Sequence, residues 1–317
     1  MQKLIKKQPG EVTVGLPRAF LYYRYDILWK SFFKELGIKT ISSPPTNRKM
    51  LENGSALAVD ESCLSAKLYF GHVNALLDQC DYILVPRVVG FGVHRMMCTR
   101  FQSLYDLVVN IFPEYKDKFL VWNVDPKHGS DQLYAFEELG ERLGVSRKLS
   151  KKAYQKARKT ADEFWKEKVK KQYATAKQKG RKVLVIGHSY VLEDAYVGRR
   201  IFDYLEKQEI RVLRADIVNR EEALKKSQAV SPTLKWEISQ ELVGGIEKYR
   251  NQVDGILLVS VYPCGPDSLV NELIVQKYSD LPILQLVLDE QDGTAGIETR
   301  MESFLDIVDF KKKVVNG

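Results

Sequence analysis

Short apolar runs alternate with amphipathic runs along this chain, and the alternation begins twice. In the first series, apolar runs fall at residues 12–16, 38–41, 82–86 and 119–124. A helical stripe of Leu21, Tyr25, Leu28, Trp29, Phe32 and Leu36 follows the first of them and stops at Gly37, a C-terminal cap. Cys63 opens a second helical run through Leu64, Leu68, His72 and Leu76, and a third spans about residues 101–109. Strands that alternate with helices predict a parallel sheet. The second series repeats the pattern, with strands expected at 182–187, 210–213, 255–260 and 282–288. Its helices are expected at 194–208, 234–249, 267–278 and 297–308.

A basic stretch separates the two series. Residues 146–179 are rich in strong helix formers and end at Gly180, so they predict one long helix. The net charge of the chain is +8, and this stretch carries much of its basic character. The bland reading of such a run is a solvated helix face; the sharper one is docking to an acidic partner. The expected fold is therefore α/β, with two Rossmann-like, doubly wound parallel-sheet lobes joined by a long basic helix. The lobes span residues 1–145 and 181–317, with 146–180 connecting them, and a cleft between lobes is the natural ligand site.

Several function classes lack their signatures. There is no Gly-x-x-x-x-Gly-Lys-Ser/Thr, so ATP dependence has to come from a partner; Gly-x-Gly-x-x-Gly and Gly-x-Ser-x-Gly are missing too. No apolar run approaches the length of a membrane span, about 18 residues, and the basic N-terminus has no apolar segment after it. No recognisable nucleic-acid-binding signature is present. Four cysteines in 317 residues read as reduced cytoplasmic thiols rather than a disulfide scaffold.

Three of those cysteines sit where a strand or loop should hand over to a helix: Cys63, Cys98 and Cys264. Cys63 heads a helix, where backbone N–H groups and the helix dipole favour thiolate. Cys98 ends a loop containing Gly90 and Gly92, and Cys264 lies between Pro263 and Gly265-Pro266 after an apolar run. Loops at the carboxyl ends of parallel strands converge on one crevice, and three thiols there point to a metal or cluster site. Their spacing matches neither a ferredoxin run nor a structural zinc pair, so packing remains an open alternative for each of them. Cys80, before a strand, reads as a buried packing residue. Asp60 and Glu61 read as a cap for the Cys63 helix, His72 as a satisfied packing residue, and Asp289 and Glu290 as the end of a strand facing the cleft.

These stretches resemble the 2-hydroxyacyl-CoA dehydratase and benzoyl-CoA reductase superfamily, in particular its acyl-CoA dehydratase activase-related branch. The resemblance is carried by Gly15-Leu16-Pro17-Arg18-Ala19-Phe20, Asp60-Glu61-Ser62-Cys63, Val85-Pro86-Arg87, Gly187-His188-Ser189-Tyr190 and Tyr262-Pro263-Cys264-Gly265-Pro266-Asp267. It implies an oxygen-sensitive iron–sulfur protein in which Cys63, Cys98 and Cys264 hold a 4Fe-4S cluster or a double-cubane 8Fe-9S cluster between the lobes. Arg87, His94, Arg100, His188 and Tyr190 become neighbours that tune it. It further implies an ATP-hydrolysing activase as electron donor, an acyl-CoA or small-molecule substrate, and a homodimer. The function expected is low-potential electron transfer or reductive chemistry of a reductase or dehydratase component. The rivals are a non-catalytic cluster carrier that docks an activase and a metal-free binding module.

Overall fold

The computed structural model describes residues 9–92, 95–290 and 294–316. The chain divides into two compact units, residues 1–165 and 166–317.

In the first unit, β1 (Thr13–Leu16) leads to α1 (Tyr22–Glu35), and β2 (Lys39–Ser42) leads to α2 (Arg48–Leu57) and α3 (Leu64–Asn74). Then come β3 (Tyr82–Val88), α4 (Thr99–Gln102), α5 (Leu104–Ile111), β4 (Phe119–Val124) and α6 (Gln132–Arg142). The long helix α7 (Arg147–Ala176) follows, and the division between the units falls within it. The four strands are all parallel, in the order β2-β1-β3-β4. The chain leaves β1 toward one edge and returns on the other side of β1 as β3. The carboxyl ends of β1 and β3 therefore flank the switch point of the sheet, where open α/β sheets bind ligands.

The interior of this unit is aromatic. Trp29 on α1 meets Trp122 on β4 edge to face, with ring centroids 5.5 Å apart, and Phe136 on α6 packs 5.5 Å from Trp122. Such rings bury large apolar area, which offsets the chain entropy that folding removes. Helix α3 is seated by two glycines: a Cβ on Gly54 of α2 would stand 1.8 Å from the Lys67 carbonyl oxygen, and one on Gly71 of α3 would stand 2.2 Å from that of Met50. Only glycine lets these two helices approach so closely.

The second unit repeats the plan. It contains β5 (Lys182–Ile186), α8 (Ser189–Leu192), α9 (Arg199–Lys207), β6 (Arg211–Arg214), α10 (Arg220–Ser227) and α11 (Glu237–Tyr249). It continues with β7 (Gly255–Val261), α12 (Gly265–Lys277), β8 (Ile283–Leu288) and α13 (Thr294–Asn316). Its sheet is again parallel, in the order β6-β5-β7-β8, with its switch point between β5 and β7. Every residue of β7 is buried, as expected of a central parallel strand covered on both faces. Leu184, Ile186, Ile256, Leu258, Tyr249 and Tyr278 belong to the core of this unit.

The α/β architecture with two parallel sheets agrees with the sequence reading, and several elements differ. The helix expected over 194–208 begins only at Arg199, because the buried Asp194 carboxylate accepts the backbone N–H groups of Tyr196 and Val197 (both 2.9 Å) and holds a turn before it. The helix expected over 101–109 breaks at Ser103 into α4 and α5. Helices α2, α6 and α10 were not anticipated, although each begins with an Asn or Asp side chain that accepts a backbone N–H, from Met50, Tyr134 and Glu222 respectively. The last helix reaches Asn316, beyond the expected end.

Candidate functional site

Cys63, Cys98 and Cys264 share one local geometry. Each is the N-cap residue of a helix, of α3, α4 and α12 respectively, with extended backbone angles. All three are half-buried, and none is in a disulfide. Each carbonyl starts the helical ladder: Cys63 accepts from Ala66, Cys98 from Phe101 and Cys264 from Ser268. Cys98 follows β3 and Cys264 follows β7, which are equivalent strands of the two sheets. Both thus lie on the carboxyl side of a strand at a switch point.

Within the first unit, α3 and α4 are joined through one ring. Phe20, in the turn after β1, packs 5.5 Å from Tyr69 of α3 and 4.8 Å from Phe101 of α4. Its backbone is left-handed, with φ 48°, a conformation that disfavours a bulky side chain. Tyr69 is fully buried, its hydroxyl has no hydrogen-bond partner among the described residues, and burial holds its pKa well above the usual phenol value.

The carboxyl ends of β1 and β2 hold a polar chain. The Arg18 backbone N–H donates to Ser43 Oγ (2.8 Å), which lies 2.8 Å from His72 Nδ1, and Thr46 Oγ1 lies 2.9 Å from His72 Nε2. His72 is fully buried. Desolvation, then the charge of Arg18, lowers its pKa to about 4. It is a satisfied, neutral packing histidine, in agreement with the sequence reading. Cys80 differs from the other thiols. It packs against Gly15 in β1 and donates to the Leu76 carbonyl (3.3 Å), and burial pushes its pKa up to about 11.

The other expected neighbours have diverse placements. Arg87, inside β3, donates from Nη1 to Asn123 Oδ1 on β4 (2.7 Å). Arg100 is half-buried in the first turn of α4. His94 lies outside the described residues. Asp60 and Glu61 do not cap α3: the cap is Cys63, a turn closes from Ser62 N–H to the Val59 carbonyl, and both acids face solvent. Asp289 and Glu290 follow β8, and the Glu290 N–H donates to Asp289 Oδ1 (2.6 Å), a local turn.

In the second unit, a relation invisible in the sequence lies at the switch point. His188 caps α8 after β5, and Asp267 stands in the first turn of α12, three residues beyond Cys264. His188 Nε2 lies in hydrogen-bond contact with Asp267 Oδ1 at 2.8 Å, and both side chains are more than nine-tenths buried. Tyr190 stacks on the His188 ring at 4.8 Å and 13°. His188 Nδ1 and Asp267 Oδ2 are sealed from solvent and have no hydrogen-bond partner among the described residues.

As single donors, the three thiols suit a soft metal or a cluster, since thiolates are the ligands of iron–sulfur centres. Among the described residues, no three His, Cys, Asp or Glu side chains are gathered as a metal site. No helix is long and apolar enough to cross a membrane.

The chain matches a family model described as a CoA enzyme activase uncharacterised domain (DUF2229), over residues 13–218. That span contains Cys63 and Cys98 and stops before Cys264. No curated protein gives a significant match to the chain.

Proposed function

The chain belongs to the CoA enzyme activase domain family, and on that premise we propose that it is an iron–sulfur protein serving the activation of an acyl-CoA enzyme. Cys63, Cys98 and Cys264 supply the thiolates. The observation that carries this reading is their common placement: each is the half-buried N-cap of a helix, whereas Cys80 is tied into packing. When bound, such a cluster supplies low-potential one-electron transfer. The chain's own residues hold the thiols in place: Phe20 sets α3 beside α4, and Arg87 and Arg100 put positive charge near the carboxyl end of β3. The substrate class is an acyl-CoA thioester or a small molecule reduced at the cluster. The expected assembly is a cytoplasmic homodimer.

The electron donor in this reading is an ATP-hydrolysing activase, because the chain carries no phosphate-binding loop of its own. The surface of α7 favours a second reading, a non-catalytic carrier that docks the activase. Lys148, Lys151, Lys152, Lys166 and Lys171 are exposed there, with no ion pair among the described residues. Clustered positive charge steers an acidic partner and loses that effect as salt rises.

The test is purification without oxygen, with iron and acid-labile sulfide counted per chain and an EPR spectrum of the reduced protein. About four irons per chain with matching sulfide support a cubane, and about eight a double cubane. No iron or sulfide after anaerobic reconstitution sinks the reading and leaves a metal-free binding module. Reduction of an added acceptor by the loaded protein separates the reductase from the carrier.

A further inference from the structure

The Cys264 turn needs something to hold it, and its own sequence supplies only part of that. Ser268 N–H and Oγ both donate to the Cys264 carbonyl (3.0 and 2.8 Å), which closes the first turn of α12 on itself. The Tyr262 N–H is tied to the Leu288 carbonyl of β8 (2.9 Å). On the side of β5, the tie is the buried bond from His188 to Asp267. A carboxylate of an ionised acid only accepts, so the proton of this bond sits on His188 Nε2. The ring plane is set by Tyr190. A charge-assisted hydrogen bond in a sealed, low-dielectric place is strong and directional, and losing one partner strands the other. Asp267 also sits at the N-terminal end of a 13-residue helix, where negative charge is favoured.

We propose that His188 is a positioning residue for Cys264: its Nε2–H holds Asp267, and Asp267 fixes the turn from which the Cys264 thiol projects. The proposal rests on the reading of Cys264 as a cluster ligand, and it adds the residues that aim this thiol. Outer residues that orient metal ligands commonly change metal affinity by about 10–100-fold when removed. The unpartnered Nδ1 plays no part in this role, which sets it apart from a role as base or ligand, where Nδ1 would be the working atom.

The experiment uses the full chain and the distinction between the two ring nitrogens. H188Q places an amide N–H close to the position of Nε2; H188N places one close to Nδ1. In metal-free protein, the alkylation rate of Cys264 by iodoacetamide is followed peptide by peptide beside those of Cys63 and Cys98. Reconstituted protein is read by iron content and EPR. The expected result is that H188N and D267A change the Cys264 rate and the iron affinity by about tenfold or more, while Cys63 alkylation stays unchanged. H188Q is expected to restore wild-type behaviour. Should D267A fail to fold, D267N, which keeps the shape and one acceptor oxygen without the charge, takes its place and is expected to fall between D267A and the wild type. Rescue by H188N rather than H188Q, or a Cys264 rate indifferent to every variant, overturns the proposal. Iron absent from the wild type, with the alkylation pattern as expected, overturns the cluster reading and leaves the positioning of the thiol intact.

Discussion

The ring of Phe20 packs 4.8 Å from that of Phe101, although Phe20 pays for that position with a left-handed backbone. Phe101 lies three residues beyond Cys98, and the other neighbour of Phe20, Tyr69, lies six residues beyond Cys63. One strained residue after β1 therefore couples the two thiol-bearing helices of the first unit. Strained backbone of this kind persists where the surroundings over-determine it, and it clusters at functional sites.

Phe20→Ala removes that shared ring from a buried place. Large-to-small changes of this type cost about 3–5 kcal/mol, with little relief from the left-handed backbone, because alanine keeps the Cβ that disfavours it. A urea titration of the variant is expected to show the first unit unfolding at lower denaturant while the second keeps its midpoint. An unchanged midpoint for the first unit contradicts the role given to Phe20.

The depressed pKa of His72 makes a pH prediction with a definite sign. The folded value, about 4, lies below the usual imidazole value of 6.5, so the unfolded chain binds the proton more readily. The stability from a neutral His72 is thus fully present above about pH 6.5 and is lost as pH falls toward 4. The span corresponds to about 3 kcal/mol. The difference in unfolding free energy between wild type and His72→Gln, measured from pH 7.5 to 4, is expected to shrink across this window. A difference that is flat with pH refutes the assignment.

Cys80 is held protonated at neutral pH by burial, with its pKa pushed up to about 11. Its alkylation in the folded protein is expected to be slow at pH 8, and fast only after denaturation. Cys80→Ser is expected to leave iron binding unchanged, whereas loss of iron in that variant would place Cys80 among the ligands.

The contact between α2 and α3 leaves no room for a methyl group at Gly54 or Gly71. Gly71→Ala is expected to destabilise the first unit by about 1–3 kcal/mol through overpacking, despite the better helix propensity of alanine. Because α3 begins at Cys63, its displacement is also expected to change the reactivity of that thiol, read by mass spectrometry of the labelled peptide.

The two parallel sheets were legible from the period of the apolar runs: β3, β4, β5 and β7 lie within a residue or two of their expected positions, and Gly37 ends α1 with φ 71° as a left-handed cap. Such signals are local, since burial on both faces writes itself into consecutive residues. Helices α2, α6 and α10 escaped because their start signals are single Asn or Asp residues that occur equally in turns. The late start of α9 at Arg199 escaped because the Asp194 carboxylate competes with a helix for backbone N–H groups, a contest that composition does not decide.

The sequence by itself determined the α/β class, the restart of the pattern after a basic helix, and the placement of three cysteines at helix starts. Only the tertiary structure decided that Phe20 joins Tyr69 to Phe101, that His72 is enclosed by Ser43 and Thr46, and that His188 holds Asp267 across 79 residues of chain. The reason is physical. Periodicity and capping act between residues a few positions apart, whereas a buried hydrogen bond depends on strand order, which brings the ends of β5 and β7 side by side.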